Sequence, residues 1–243
     1  MGQSHRVTRS RFTPRSFLAA RFRPATRLGL MLTVQLAVLT LLLSAFSVVT
    51  EDVVAGDELV AADGPIASFL IDRRSAALTV AMRVFTSLGS APVVIPLLLG
   101  VGLLARRARG AWRPLLFLAV TVAGATLTST VIKLIVARPR PESGALVRAL
   151  GYAFPSGHST TAAATWLAMA VVLGSLVTSR GLRLRAGALA GVVVLLVGIS
   201  RVYLGVHAPT DVLGGWALGA LWVAGTLIAG RLLVRQERAE AAP

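Results

Sequence analysis

Three short segments carry the residue types that could do chemistry. A basic run starts at Lys133 and continues through Arg138 and Arg140 to Pro141. Pro155, Ser156, Gly157 and His158 follow, and then Ser200, Arg201, His207 and Asp211. Lys133 is the only lysine in a chain whose other cations are all arginine. A Pro-Ser-Gly helix start leaves backbone N–H groups without intrahelical acceptors, and the helix dipole there favours an anion. Gly157 lets such an anion approach the backbone closely. Lys133, Arg140 and Arg201 are suited to neutralise the oxygens of a transferring phosphoryl group, the arginines as planar forks and the lysine as a point charge. Two histidines can divide the proton and bond chemistry, one as a neutral nucleophile and one as a protonated acid for the departing oxygen. Asp211 lies one helical turn beyond His207, in reach to accept its second N–H and fix the nucleophilic tautomer. Taken singly, Lys133 reads as a snorkelling side chain, and Ser156 and Asp211 as helix caps. Capping alone does not call for two histidines, a lone lysine and two arginines at one membrane face.

The three segments resemble the type 2 phosphatidic acid phosphatase family, the lipid phosphate phosphatases, which shares its core with vanadium haloperoxidases. The family pattern K-x6-R-P, P-S-G-H and S-R-x5-H-x3-D is met at each fixed position: Lys133, Arg140 and Pro141; Pro155 to His158; Ser200, Arg201, His207 and Asp211. The motifs cover Lys133 to Asp211, and a six-span layout extends the likeness over most of the chain. The resemblance implies His207 as nucleophile, Asp211 as its orienting partner and His158 as leaving-group acid. It further implies that Lys133, Arg140, Ser156, Gly157 and Arg201 hold the phosphate, with no metal and no cofactor. Arg138 repeats the Arg-Pro pair; the family spacing selects Arg140 and leaves Arg138 as a candidate outer ligand of the phosphate.

The elements that must position these groups are apolar helices. In 243 residues, 55% are hydrophobic and the formal net charge is +15, and long stretches lack charge altogether. This excludes a soluble globular enzyme. An all-α, polytopic integral membrane protein is expected, because several runs approach the roughly 20 apolar residues that cross a bilayer. Six spans are expected near Leu28 to Thr50, Ser90 to Ala105, Pro114 to Val136, His158 to Thr178, Ala186 to Tyr203 and Val212 to Leu233. The second, short and carrying Pro92 and Pro96, is expected to reach back through Leu88 or to thin the bilayer locally. Between the first two, Leu78, Met82 and Phe85 recur at helical spacing, predicting an interfacial helix over residues 75–88 whose main role is anchoring.

Charge alternates in step with these spans. Arginines collect in the tail before Leu28, at residues 106–113, at 180–185 and after 230, whereas Glu51, Asp52, Asp57, Glu58, Asp63 and Asp72 crowd the loop after the first span. The positive-inside rule accounts for this and places both termini in the cytoplasm. A nucleic-acid footprint would instead be one basic face, so no nucleic-acid partner is expected. Residues 1–27 are expected to form a disordered basic cytoplasmic tail, 28–234 the membrane domain and 235–243 a short cytoplasmic tail. The first apolar run is read as a retained helix rather than a cleaved signal. Cysteine is absent, which excludes disulfides and thiolate metal sites. The Gly215 to Gly219 G-x-x-x-G is expected to pack helices within one chain in preference to forming a dimer seam; oligomeric state is not readable.

The expected function is a multi-pass plasma-membrane phosphatase with an extracytoplasmic site. It would hydrolyse a lipid phosphomonoester or diphosphate, with undecaprenyl diphosphate, phosphatidic acid and phosphatidylglycerol phosphate all open as substrates. A lipid-diphosphate-dependent phosphotransferase is the alternative; a vanadate-dependent haloperoxidase is disfavoured by six apolar spans, and a non-catalytic lipid binder by the histidine–aspartate set.

Overall fold

The computed structural model describes residues 24–142 and 144–240. The chain divides into two units, residues 1–38 and 39–243. The expectation of a disordered tail falls outside the described residues as far as residue 23; residues 24–27 are already helical. Helix α1 is Pro24–Ala55.

In the second unit, α1 is followed by the short α2 (Glu58–Ala61) and α3 (Asp63–Ile71), the amphipathic α4 (Ala76–Ser87), and the long helices α5 (Ala91–Arg109), α6 (Arg113–Val136), α7 (Gly157–Leu176), α8 (Arg180–Tyr203) and α9 (Pro209–Glu240). By length and composition six helices can cross a bilayer: Thr33–Ala55, Ala91–Arg109, Arg113–Val136, Gly157–Leu176, Arg180–Tyr203 and Pro209–Val234. The structure is thus all-helical with six candidate spans.

The second span is longer than expected, 19 residues, and needs no backward extension. It gains length at its other end, where Arg106, Arg107 and Arg109 occupy the last turn and complement the dipole. Gly110, at φ +67°, terminates it. Helix α8 likewise begins earlier than expected, because Ser179 accepts a hydrogen bond from the Leu182 N–H and caps the helix ahead of Arg180. Helix α9 continues to Glu240, so residues 235–240 of the expected C-terminal tail extend the last helix. Arg113 in the first turn of α6 pairs with Glu237 near the end of α9.

Helix α7 is the centre of the bundle. Ala162, Ala163, Ala164 and Ala168 are buried, and the helix packs against α5, α6, α8 and α9. Small residues let its backbone come close to α9. A Cβ added at Gly215 would lie 2.7 Å from the Ser156 carbonyl oxygen, and one at Gly219 2.6 Å from that of Thr160. The G-x-x-x-G face is therefore occupied within the chain.

Helix α4 lies on α8, with Met82 buried beside Tyr203, Leu204 and Val206. Its Ser75 cap accepts from the Leu78 N–H at 3.3 Å. Arg83 donates to the Leu146 carbonyl. The helix therefore does more than anchor: it braces the segment that joins α6 to α7.

Candidate active site

Helices α6 and α8 end where α7 and α9 begin, so the three motif segments converge at one end of the bundle. Helix α6 stops at Val136, and Ala137 adopts a left-handed conformation, φ +50°. That turn directs Arg138 and Arg140 away from the helix path. The Ala153 N–H donates to the Arg138 carbonyl at 2.8 Å, which folds the connecting segment back over the site. The Ser156 N–H donates to the Asp211 carbonyl at 2.8 Å, which joins the start of α7 to the first turn of α9.

His207 and Asp211 are 3% and 0% exposed. His207 Nδ1 lies 3.3 Å from Asp211 Oδ2, and the same oxygen accepts from the Ala208 N–H at 2.9 Å. On its other side, His207 Nε2 faces Arg140 Nη1 at 3.2 Å. Arg140 can only donate, so the network assigns the proton to Nδ1 and leaves a lone pair at Nε2. Burial pushes the His207 imidazole down to about 4; Asp211 opposes that shift, while Arg201 and Arg140 reinforce it. At neutral pH the ring is uncharged, as a nitrogen nucleophile must be.

Lys133, Arg140 and Arg201 lie at this site with no carboxylate at ion-pair distance among the described residues. Lys133 donates to the Tyr152 and Ala153 carbonyls at 2.8 and 3.1 Å. Arg140 donates to the carbonyls of Gly151, Leu150 and Val206 at 2.9, 2.9 and 2.7 Å. Burial lowers the pKa of Arg140, with Asp211 partly offsetting the effect. Arg201 gives one guanidinium nitrogen to Thr86 Oγ1 at 2.8 Å, and its buried Nε has no partner. His158, in the first turn of α7, lies within electrostatic reach of Arg201, His207, Arg140 and Lys133. All of the expected site residues are thus gathered at one place.

Two details add to the expectation. The Ser156 N–H is spent on Asp211, because the ends of α7 and α9 abut, so Gly157 and His158 supply the amides that open the helix. The Ser156 hydroxyl is buried and accepts from Ser159 Oγ at 3.0 Å. Arg138, expected as an outer ligand of the phosphate, stands against Asp211. Its Nη1 donates to Asp211 Oδ1 and to Thr210 Oγ1, both at 2.7 Å, and its Nη2 donates to Asp63 Oδ2 at 2.9 Å. Although burial lowers the pKa of Arg138, these carboxylates outweigh it and raise it above the ordinary value.

Two contributors were missed in the sequence. Asp63 is a buried acid on α3 that accepts from the Thr210 N–H at 2.9 Å and the Thr210 hydroxyl at 2.6 Å. Thr86 on α4 holds Arg201. Both lie in the segment read only as a translocated loop with an anchoring helix, and nothing in their local pattern points to the site. A cavity of about 670 Å³ separates α3 from the residues 138–141 segment, with Arg140, Ala208 and Asp211 in its wall. Among the described residues, no group of three His, Cys, Asp or Glu side chains is arranged to hold a metal.

Comparison with known proteins agrees with this geometry. Residues 114–234 match the PAP2 superfamily. The chain is 37% identical over 161 residues to phosphatidylglycerophosphatase B of Bacillus subtilis (strain 168), covering 66% of this chain and 79% of that protein. It is 42% identical over 80 residues to phosphatidylglycerophosphatase B of Haemophilus influenzae, 32% of each chain. The crystal structure of a transmembrane PAP2-type phosphatidylglycerolphosphate phosphatase from Bacillus subtilis superposes with a TM-score of 0.73 at 32% identity, over 79% of this chain and 94% of that one. Aquifex aeolicus LpxE superposes with a TM-score of 0.55 at 26% identity, over 68% and 94%. With its apolar helices, its convergent motifs and these relatives, the chain belongs to the PAP2 superfamily, as a multi-pass membrane phosphatase.

Proposed function

We propose that this protein hydrolyses the terminal phosphomonoester of phosphatidylglycerol phosphate at the extracytoplasmic face of the plasma membrane, through a phosphohistidine on His207. The observation that carries the reading is the group of three cations without carboxylate partners facing an uncharged imidazole whose far nitrogen is held by Asp211. Such a site is short of negative charge, which a phosphate supplies. The relatives' names favour phosphatidylglycerol phosphate over phosphatidic acid and undecaprenyl diphosphate. The basic ends of α5, α8 and α9 lie away from the site, which supports an extracytoplasmic location by the positive-inside rule.

In the first step Nε2 of His207 attacks phosphorus and the bond from phosphorus to the glycerol oxygen breaks. Protonated His158 gives that oxygen its proton, and phosphatidylglycerol leaves. Asp211 stabilises the positive charge that develops on the His207 ring. Lys133, Arg140, Arg201 and the first amides of α7 hold the non-bridging oxygens. In the second step His158, now neutral, takes a proton from water, whose oxygen attacks phosphorus; the bond to Nε2 breaks and inorganic phosphate departs.

The test is phosphate release by detergent-purified protein from phosphatidylglycerol phosphate, phosphatidic acid and undecaprenyl diphosphate, each with EDTA, beside His207→Ala. Rapid quenching at alkaline pH with labelled substrate looks for the phosphohistidine. The expected result is metal-independent release fastest from phosphatidylglycerol phosphate and none from His207→Ala. Near-normal turnover by His207→Ala would reject the assigned nucleophile, and faster release from another lipid would reject the assigned substrate.

A further inference from the structure

Asp211 is shared between an imidazole and a guanidinium. Its Oδ2 serves His207, while its Oδ1 is held by Arg138 at 2.7 Å. Were Arg138 and Asp211 alone, the pair would be neutral, and little charge would remain to stabilise a positive His207 ring in a buried site. Asp63 changes this balance. It binds the other guanidinium nitrogen at 2.9 Å, so one arginine lies between two carboxylates and the group keeps a surplus negative charge. Asp63 also accepts both polar hydrogens of Thr210, capping the first turn of α9 from a helix 147 positions earlier in the chain. The same carboxylate therefore fixes Arg138 and sets the helix turn from which Asp211 projects.

We propose that Asp63 is a positioning residue for catalysis: through Arg138 it leaves the negative charge of Asp211 available to His207. The inference rests on the proposed role of His207. It extends the catalytic apparatus to α3, outside residues 114–234 that match the superfamily.

The experiment compares Asp63→Asn, Arg138→Gln and the double variant as full-length proteins, with kcat, KM and Tm measured on each and His207→Ala beside them. Asparagine keeps the shape of Asp63 and removes its charge. For Asp63→Asn the expected result is a kcat lower by about 10- to 100-fold, by analogy with the outer carboxylate partners of metal-binding imidazoles. KM should stay within about threefold, since the phosphate-holding cations are untouched. Adding Arg138→Gln removes the unbalanced cation, so the double variant should recover at least about fivefold in kcat over Asp63→Asn. A purely structural Asp63 would lower Tm without such recovery. If Asp63→Asn does not fold, Arg138→Gln and the double variant decide, and their kcat values should agree within about twofold because no cation is left to offset. Wild-type kcat in Asp63→Asn, or a double variant about tenfold below Arg138→Gln, would overturn the proposal. Activity retained by His207→Ala would instead overturn the mechanism on which it rests.

Discussion

Substituting Gly215 by alanine adds one methyl group at the closest approach of α7 and α9. That Cβ would lie 2.7 Å from the Ser156 carbonyl oxygen, 2.8 Å from Ser159 Cβ and 3.1 Å from the Thr160 nitrogen. The shortest of these is about 0.7 Å inside ordinary van der Waals contact, which begins near 3.4 Å. Two of the three atoms are backbone, so no side chain can rotate out of the way. Overpacking of this kind costs about 1–3 kcal/mol, and the strain falls on the turn that carries His158. The helices can part only by moving that turn relative to Asp211, and a displacement near 1 Å lowers turnover by about 100-fold. Gly215→Ala should therefore lower Tm by about 3–10 °C and kcat/KM by about 10- to 100-fold. Gly225→Ala, on the same helix with nothing within 4 Å of the added carbon, is the control and should leave both unchanged or raise Tm slightly. Thermal unfolding in detergent and phosphate release measure the two effects. Wild-type Tm and kcat/KM in Gly215→Ala would refute the packing argument, and a change in oligomer mass with activity intact would move the glycines to an interface between copies.

The pH dependence should carry the mark of His207. Its folded pKa of about 4 lies below the unfolded 6.5, so the unfolded chain binds more protons between these values. Stability should be fully present above pH 6.5 and fall by about 3 kcal/mol as the pH drops through this window, an effect that His207→Gln should flatten in acid-denaturation curves. The kcat/KM profile should be bell-shaped with its acid limb near pH 4, and a limb at the ordinary histidine value would contradict the burial argument. Thr86→Val removes the only hydrogen-bond partner of the Arg201 guanidinium among the described residues and should raise KM by about 10-fold with a smaller loss in kcat, measured by steady-state phosphate release. Ala137→Gly relieves a left-handed alanine at φ +50°; Tm should rise by about 2–4 °C for a gain near 1 kcal/mol, with kcat/KM kept within about threefold.

The proposed catalytic set was legible because each motif sits at a helix end. A lysine and arginine leaving α6, a Pro-Ser-Gly-His opening α7, and a His–Asp pair one turn apart at the start of α9 are local patterns. Alternating apolar and basic segments then place all three at one side of a bilayer. The supports of the site were not legible for the opposite reason. Asp63 reaches Thr210 across 147 positions and Thr86 reaches Arg201 across 115, and neither is set apart from its neighbours by spacing or type. Spacing says which arginine fits the family pattern but not what the other one touches; the contacts of Arg138 with Asp211 and Asp63 follow from the left-handed turn at Ala137. The end of α5 lies four residues beyond the expected Ala105, because long apolar stems let arginines continue a helix into the headgroup layer.

The contact between Arg140 and His207 bears on how this enzyme can be inhibited. The lone pair at Nε2 is covered by a guanidinium that four carbonyls hold in place. A neutral electrophile arriving there meets a cation in front of the nitrogen it must reach. An anionic group that draws Arg140 onto its own oxygens uncovers that nitrogen in the same movement. Reagents designed to label His207 should therefore pair their reactive centre with a phosphonate or a similar anion, and inorganic phosphate should protect the enzyme from them by competing for the arginine, not by shielding the ring.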